Sequence, residues 1–327
     1  MKSTVKPVVA VDVGGTKFIA AVVDGGGKML SRVYCPTCAE QGPERVIKRL
    51  ASAISQAVKE SGAGMKGIGG ISLAVAGIID IKRGLITSAP NLPDWCNIRL
   101  GEILQDEFEV PAFLLNDGNA AALGEQRFGA GKGADNLIYI TVSTGIGGGL
   151  IINGELYNGT DGSAGEIGHM IVLADGPECN CGQHGCLEAL ASGTAIARLA
   201  RERLDEGKQS ILNEMVGGKI ETLNAEHVTK AAKKQDAVAL SVVCEAAYYL
   251  GIGLSNLVNL FNPQVIVIGG GVSAMGELLL RPARKSMQEH AFKLPASTVR
   301  VVKSKLNPDA GILGAVAWAQ QQQGGIK

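Results

Sequence analysis

The sequence predicts an α/β protein of two domains, and three observations carry that expectation. Short β-branched apolar runs (VVAVDV at 8–13, ISLAV at 71–75, VIVI at 265–268) alternate with longer segments of helical spacing. The 327 residues are enough for two cores. An apolar strand, a glycine- and hydroxyl-rich turn and a second apolar strand occur in series twice, at 8–23 and 137–152, which reads as an internal duplication.

Composition narrows the function classes. Hydrophobic residues at 46% and charged residues at 19% describe a globular chain. Lys plus Arg equals Asp plus Glu at 31 each, so no net field recruits nucleic acid or an anionic membrane. Asp12 interrupts the first apolar run, which excludes a signal peptide, and no apolar stretch reads as a membrane span. Seven cysteines, an odd number with three of them clustered, predict a reducing compartment, the cytoplasm. Cys35-Pro36-Thr37-Cys38 has a redox spacing without the strand-to-helix context, and is read as ordinary free thiols. The 45 glycines gather at strand ends, where backbone can approach a ligand closely.

The elements follow in order. Strands at 8–13 and 18–23 form a hairpin around Gly14-Gly15-Thr16-Lys17. Such a turn offers backbone N–H groups, a hydroxyl and a charge to a phosphate; an ordinary tight turn is the alternative. No Walker loop occurs anywhere. Residues 44–61 have helical spacing, with Val46, Ile47, Leu50, Ile54 and Val58 on one face, and 71–75 is a buried strand. Residues 91–95 (NLPDW) form a loop that sets Asn91 where a strand-end ligand could meet it. A strand at 112–115 runs into Asn116-Asp117-Gly118-Asn119 and a helix. Asp117 is either that helix's N-cap or a catalytic carboxylate at a strand tip. Gly129, Gly131 and Gly133 then mark an exit near a domain boundary.

The second hairpin, 137–142 and 150–152 around Ser143 to Gly149, repeats the first and strengthens the phosphate reading of both. Helices are expected at 187–204, 225–234 and 238–260, the last stopped by Asn262-Pro263. A buried strand at 265–268 leads into Gly269-Gly270-Gly271. With Ala274 these fit a dinucleotide fingerprint formally, but no βαβ unit builds on them, and glycines against a nucleotide base suit the context better. A strand at 299–302 and a helix at 310–322 complete the chain, with 320–325 (QQQQGG) read as a frayed tail.

The densest chemistry lies between Gly165 and Glu188. Cys179, Cys181 and Cys186 fall within eight residues, downstream of Glu166 and His169. Three thiols and one imidazole make a complete tetrahedral Cys₃His set for zinc, with no position left for a water. His169 is the first choice for the nitrogen and His184 the second. Such a metal would be structural, holding Glu166, His169 and Glu188 in a fixed relation.

DVGGTK at 12–17, NDGNAAALGE at 116–125, TGIGGG at 144–149, E-x-G-H at 166–169 and C-x-C-G-x-x-G-C-x-E at 179–188 together resemble the ROK family. The match runs in order from about residue 8 to about residue 315. The resemblance implies an actin-like, ribonuclease H-like ATPase fold with an interdomain cleft, divided into 1–117 plus 305–327 and 118–304. It implies Asp117 as catalytic base and Asn91, Asn116, Asp117, Glu166, His169 and Glu188 around a sugar. Gly14, Gly15, Thr16, Lys17, Thr144, Gly145 and Gly147 would take the phosphates of ATP, Gly270 and Gly271 its adenosine, and Asp12 would position Mg²⁺. His169, Cys179, Cys181 and Cys186 would bind structural Zn²⁺. The family comprises sugar kinases and sugar-responsive repressors. With the first strand starting by Val8 and no net charge, a kinase without nucleic-acid or membrane partners is expected. The run LEALASGTAIAR at 187–198 is similar to that of the family's glucose kinases, implying transfer to the 6-hydroxyl of glucose. N-acetylmannosamine or fructose as acceptor, and sugar sensing without catalysis, are the alternatives. A homodimer or homotetramer is expected from the family.

Overall fold

Both glycine turns close antiparallel hairpins, and each hairpin opens a five-stranded sheet. A computed structural model describes residues 6–324. The first half runs β1 (Val8–Val13), β2 (Lys17–Val23), β3 (Met29–Pro36), α1 (Pro43–Ser61), β4 (Gly70–Val75), β5 (Ile78–Asp80), β6 (Leu85–Ser88), β7 (Cys96–Ile98), α2 (Leu100–Phe108) and β8 (Ala112–Asn116). Helix α3 (Asp117–Phe128) leads into β9 (Leu137–Val142), β10 (Ile146–Ile152) and β11 (Glu155–Leu156). Then come α4 (Leu187–Ala191), α5 (Gly193–Asp205), α6 (Ile211–Met215), α7 (Ala225–Lys233), α8 (Ala237–Phe261), β12 (Val265–Gly269), α9 (Glu277–His290), α10 (Lys293–Thr298), β13 (Arg300–Lys303) and α11 (Ala310–Gln322).

The sheets share one plan. In the order β3-β2-β1-β4-β8 the first three strands are antiparallel neighbours, while β1, β4 and β8 run parallel. The order β11-β10-β9-β12-β13 repeats this, with β9, β12 and β13 parallel. The duplication read from the two hairpins therefore extends to whole sheets. Strands β5 to β7 form a small separate sheet after β4.

Strand alternation feeds two cores from each sheet. Val9, Val11 and Val13 face an outer core with α1 and α2, while Val8 and Ala10 face a central one. In the second sheet Ile138, Ile140 and Val142 face the outer core and Leu137 and Tyr139 the central one. The central layer consists of α3 and α11, which cross with backbone against backbone. A Cβ on Gly124 would lie 2.5 Å from the carbonyl oxygen of Ala310, and one on Gly314 would collide with that of Ala120.

Several expectations change. The N-cap of α3 is Asn116, whose side chain accepts from the N–H groups of Gly118 and Asn119; Asp117 is the first helical residue. The helix expected at 187–204 breaks at Ser192, whose hydroxyl caps α5 by accepting from Ala195 N–H. The glutamine tail is ordered as far as Gly324, with Gln320 3% exposed and Gln323 donating to Gly69; Gly325 lies outside the described residues. Helix α8 is long and apolar enough to cross a membrane, contrary to the sequence reading. It is instead the spine of the second outer core, packed against α4, α5, α7 and α9.

Candidate active site

The parallel strands of each sheet end on one edge, where α/β proteins gather ligands. On the first sheet β1 ends in Asp12 and the Gly14 to Lys17 turn, β4 in Gly77, and β8 in Asn116. The Asn116 amide donates to the Gly77 carbonyl at 3.0 Å, so its cap joins two strand ends. At the head of α3, Asp117 accepts from Gly118 N–H at 2.9 Å through Oδ1, and Oδ2 has no donor among the described residues. Gly15 must be glycine, because a Cβ would come within 2.6 Å of the Asn91 carbonyl oxygen. That contact brings the NLPDW loop against the first turn.

The second sheet presents the matching edge. Ser143, Thr144 and Gly145 follow β9, and Gly270 and Gly271 follow β12. Gly270, with φ of 80°, packs against the carbonyl of Val142. Glu188 reaches the second turn from α4: its Oε2 accepts from Ile146 N–H at 2.8 Å, and the missing side chain of Gly145 leaves room for it. Gly147 lies in β10, paired with Thr141.

The cysteine cluster adjoins this edge. His169 Nδ1 lies 3.8 Å from Cys179 Sγ, and Cys181 Sγ lies 3.7 Å from Cys186 Sγ. All four ligand atoms fall within 4.8 Å of one another. A tetrahedron with metal–sulfur bonds of about 2.3 Å has sulfur–sulfur edges of about 3.8 Å, so the set fits a zinc-sized ion. Burial pushes the Cys186 thiol up to about 12 and raises Cys179, while the Gln183 backbone N–H lowers Cys181. The imidazole turns Nδ1 to the cluster and leaves Nε2 3.9 Å from Glu166. His184, the second choice, bonds through Nδ1 with the Gly176 carbonyl and lies outside the cluster.

A cleft of about 940 Å³ gathers Gly15, Thr16, Asn91, Thr144, Gly145, His169 and Glu188 on its walls, within the range of small-molecule sites. Neither Asp12 nor Asp117 lines that cleft, and the Asp117 carboxylate adds to the cost of ionising Asp12. Burial, then the Asp117 carboxylate, pushes Asp12 up to about 6 against the pull of Lys17. Burial likewise lifts Asp117 above the usual carboxylate range, opposed by the Gly118 N–H. Of the other residues expected at the site, Gly14, Lys17, Asn116, Gly147, Glu166, Gly270 and Gly271 do not line the cleft either.

Sequence reasoning missed Arg198, which lines the cleft, and Thr194, which lines it from the start of α5. It also missed Glu125, fully buried in α3, which accepts from Ala130 N–H, Ser304 hydroxyl and Leu306 N–H. The partners of Glu125 near residue 304 are about 180 positions away, and no local spacing announces them.

Two sheets on one plan, each with a glycine turn at the lip of a shared cleft, define the actin-like ATPase fold of sugar kinases. Within that class the chain belongs to the ROK family, whose model matches residues 8–322. It is 39% identical to a glucokinase of Thermotoga maritima over 97% of this chain and 98% of that protein. A ROK family glucokinase of Streptomyces griseus, solved with glucose and AMPPNP, superposes with a TM-score of 0.84 at 36% identity, covering 96% of this chain and 99% of that one. A ROK family transcriptional regulator, a homologue of the E. coli MLC protein, superposes at 0.87 with 26% identity, covering 98% of this chain and 79% of that one.

Proposed function

We propose that the chain is an ATP-dependent glucose kinase, moving the γ-phosphoryl group to the 6-hydroxyl of glucose with Asp117 as general base. The observation that carries this reading is the convergence of both glycine turns with Asn91, His169 and Glu188 on one cleft. The sugar oxygen forms a bond to the γ-phosphorus, the bond to the bridging oxygen breaks, and ADP leaves with the electron pair. The hydroxyl proton passes to Asp117, whose Oδ2 is free to take it. A carboxyl lifted by burial is a stronger base than an ordinary one.

Phosphoryl transfer asks the protein mainly to position reactants and offset charge. Backbone N–H groups of Gly15, Thr16, Thr144 and Gly145 do this for the phosphates, with Lys17 adding its charge, and Gly270 and Gly271 flank the adenosine. Asp12 would help to hold the Mg²⁺ that accompanies ATP, which would supply further charge neutralisation. Asn91, Asn116, Glu166, His169 and Glu188 hold the sugar hydroxyls; the cap leaves Asn116 one amide hydrogen for this. Cys179, Cys181, Cys186 and Nδ1 of His169 would hold a structural zinc, which would fix the imidazole while Nε2 stays on the side of Glu166.

The division into 1–117 with 305–327 and 118–304 is supported by the two chain crossings, at the head of α3 and between β13 and α11. A homo-oligomer is supported by Leu260, Phe292 and Leu294, each more than 70% exposed at one end of the second half. Cytoplasmic residence suits free thiols and an intracellular substrate.

The test is ADP release with glucose, mannose, fructose, N-acetylglucosamine and N-acetylmannosamine, with Asp117→Asn as control. Preference for glucose, lost in the variant, is expected. Preference for another sugar would overturn the acceptor. Absence of turnover on all five would leave the sensing role of the regulator relative.

A further inference from the structure

The duplicated halves share a device behind their turns. In the first half Thr37, fully buried after β3, directs both of its donors at the turn. Its hydroxyl donates to the Gly14 carbonyl at 2.7 Å and its N–H to the Thr16 carbonyl at 2.9 Å. Thr37 is held in turn by Arg49 of α1, which donates to its carbonyl at 2.6 Å and to the Gln41 side chain at 2.6 Å. In the second half Thr194 donates to the Thr144 carbonyl through its hydroxyl at 2.8 Å and its N–H at 3.3 Å. Gly193 N–H takes the Ser143 carbonyl at 2.7 Å, an approach that a side chain at 193 would block.

A trans peptide points its carbonyl and the next N–H in opposite directions. Drawing the Gly14 oxygen toward Thr37 therefore turns the Gly15 N–H the other way. Drawing the oxygens of Ser143 and Thr144 toward α5 turns the N–H groups of Thr144 and Gly145 away from α5. Those N–H groups, with that of Thr16, have no acceptor among the described residues. We infer that Thr37 and Thr194 are paired positioning residues, pinning the turn carbonyls so that the N–H groups stand ready for the phosphates of the nucleotide. A buried hydroxyl such as that of Thr37 needs some acceptor. Thr194 is exposed, could bond to water instead, and yet makes the same contact.

The inference rests on reading both turns as phosphate sites, so the wild-type chain is first shown to release ADP with a sugar. Thr37→Val and Thr194→Val keep the shape and delete one donor each. Losing one neutral hydrogen bond at a pre-arranged anion site is expected to raise KM for ATP about fivefold to tenfold in each variant, with KM for the sugar within about twofold. Thr→Ser at either position keeps the donor and restores KM for ATP. The double Val variant multiplies the two effects, because the turns lie on different sheets. Thermal melts check folding. Unchanged KM for ATP in folded Val variants of an active chain overturns the inference, as does an equal rise in both KM values or failure of Ser to rescue.

Discussion

Replacing Asp12 by Asn makes a neutral residue of a buried acid whose burial and acidic neighbours outweigh the pull of Lys17 and Arg32 while the nucleotide is absent. No donor among the described residues reaches its carboxylate, so the amide forfeits no hydrogen bond. The folded-state value is about 6 against 3.8 for the free side chain, raised chiefly by burial and then by Asp117. A raised folded value means that the contribution to stability is fully present below 3.8 and is lost as pH rises through about 6. Above that, two units correspond to about 3 kcal/mol of strain borne by the ionised wild type and absent from the variant. Asp12→Asn is therefore expected to melt roughly 4–5 °C higher at pH 8 without ATP or Mg²⁺, the gap narrowing towards pH 5. The same variant should lose most of its ATP turnover, since the charge that burdens the empty fold is the one available to a cation. Melts by circular dichroism at half-unit pH steps check the first half, and kinetics at varied Mg²⁺ the second. A variant less stable at pH 8, or a gap that does not change with pH, would refute the reasoning.

Asp117→Asn should keep glucose affinity, followed by tryptophan fluorescence, while kcat falls about 10² to 10⁴-fold, the usual worth of a general base. In the wild type, kcat should decline as pH drops through a value above the ordinary aspartate range, because only the ionised form accepts the proton. Cys181→Ser should lower bound metal from one zinc per chain, read by elemental analysis, and raise KM for glucose more than KM for ATP, since His169 loses its anchor. Glu125→Gln places an amide donor against at least one of three donors now satisfied by the carboxylate, and should cost about 1–3 kcal/mol in chemical denaturation.

The legibility of this chain follows the range of its interactions. The first hairpin, α1, α8 and the strand at 265–268 were readable because their apolar spacing is local and strong, whereas β10 begins at Ile146, inside the stretch read as a turn, because Gly147 to Gly149 carry no apolar signal. The cysteine cluster was readable because its ligands crowd into a short segment. The break at Ser192 was missed because the apolar spacing runs on across it, although Ser192-Gly193-Thr194 carries a turn and cap signal. It is decided by the Ser192 cap and by Gly193 and Thr194 turning their N–H groups to the second turn. The strands β5 to β7 and helix α2 are short and packed by contacts that no periodicity encodes. Thr37, Thr194 and Glu125 look like any hydroxyl or acid in sequence; only the partner brought from far along the chain gives each a role. Of the two readings left open for Asp117, the cap falls to Asn116 instead, because both residues are good caps and the tie to Gly77 settles the choice.

The crossing of α3 and α11 has a mechanical consequence. Interfaces built of side chains yield through many small rotamer changes and behave like cushions. At Gly124 and Gly314, within a layer otherwise filled by side chains, main chain meets main chain and has little to yield, so these points would serve as a fulcrum. Levers have two ends. On one side of the pivot stands Asp117; on the other, Phe128 presses on Gly27 and Gln320 donates to the Gly25 carbonyl. Bulk added at the 24–27 turn would be felt as a change in the gape of a cleft that the turn never touches.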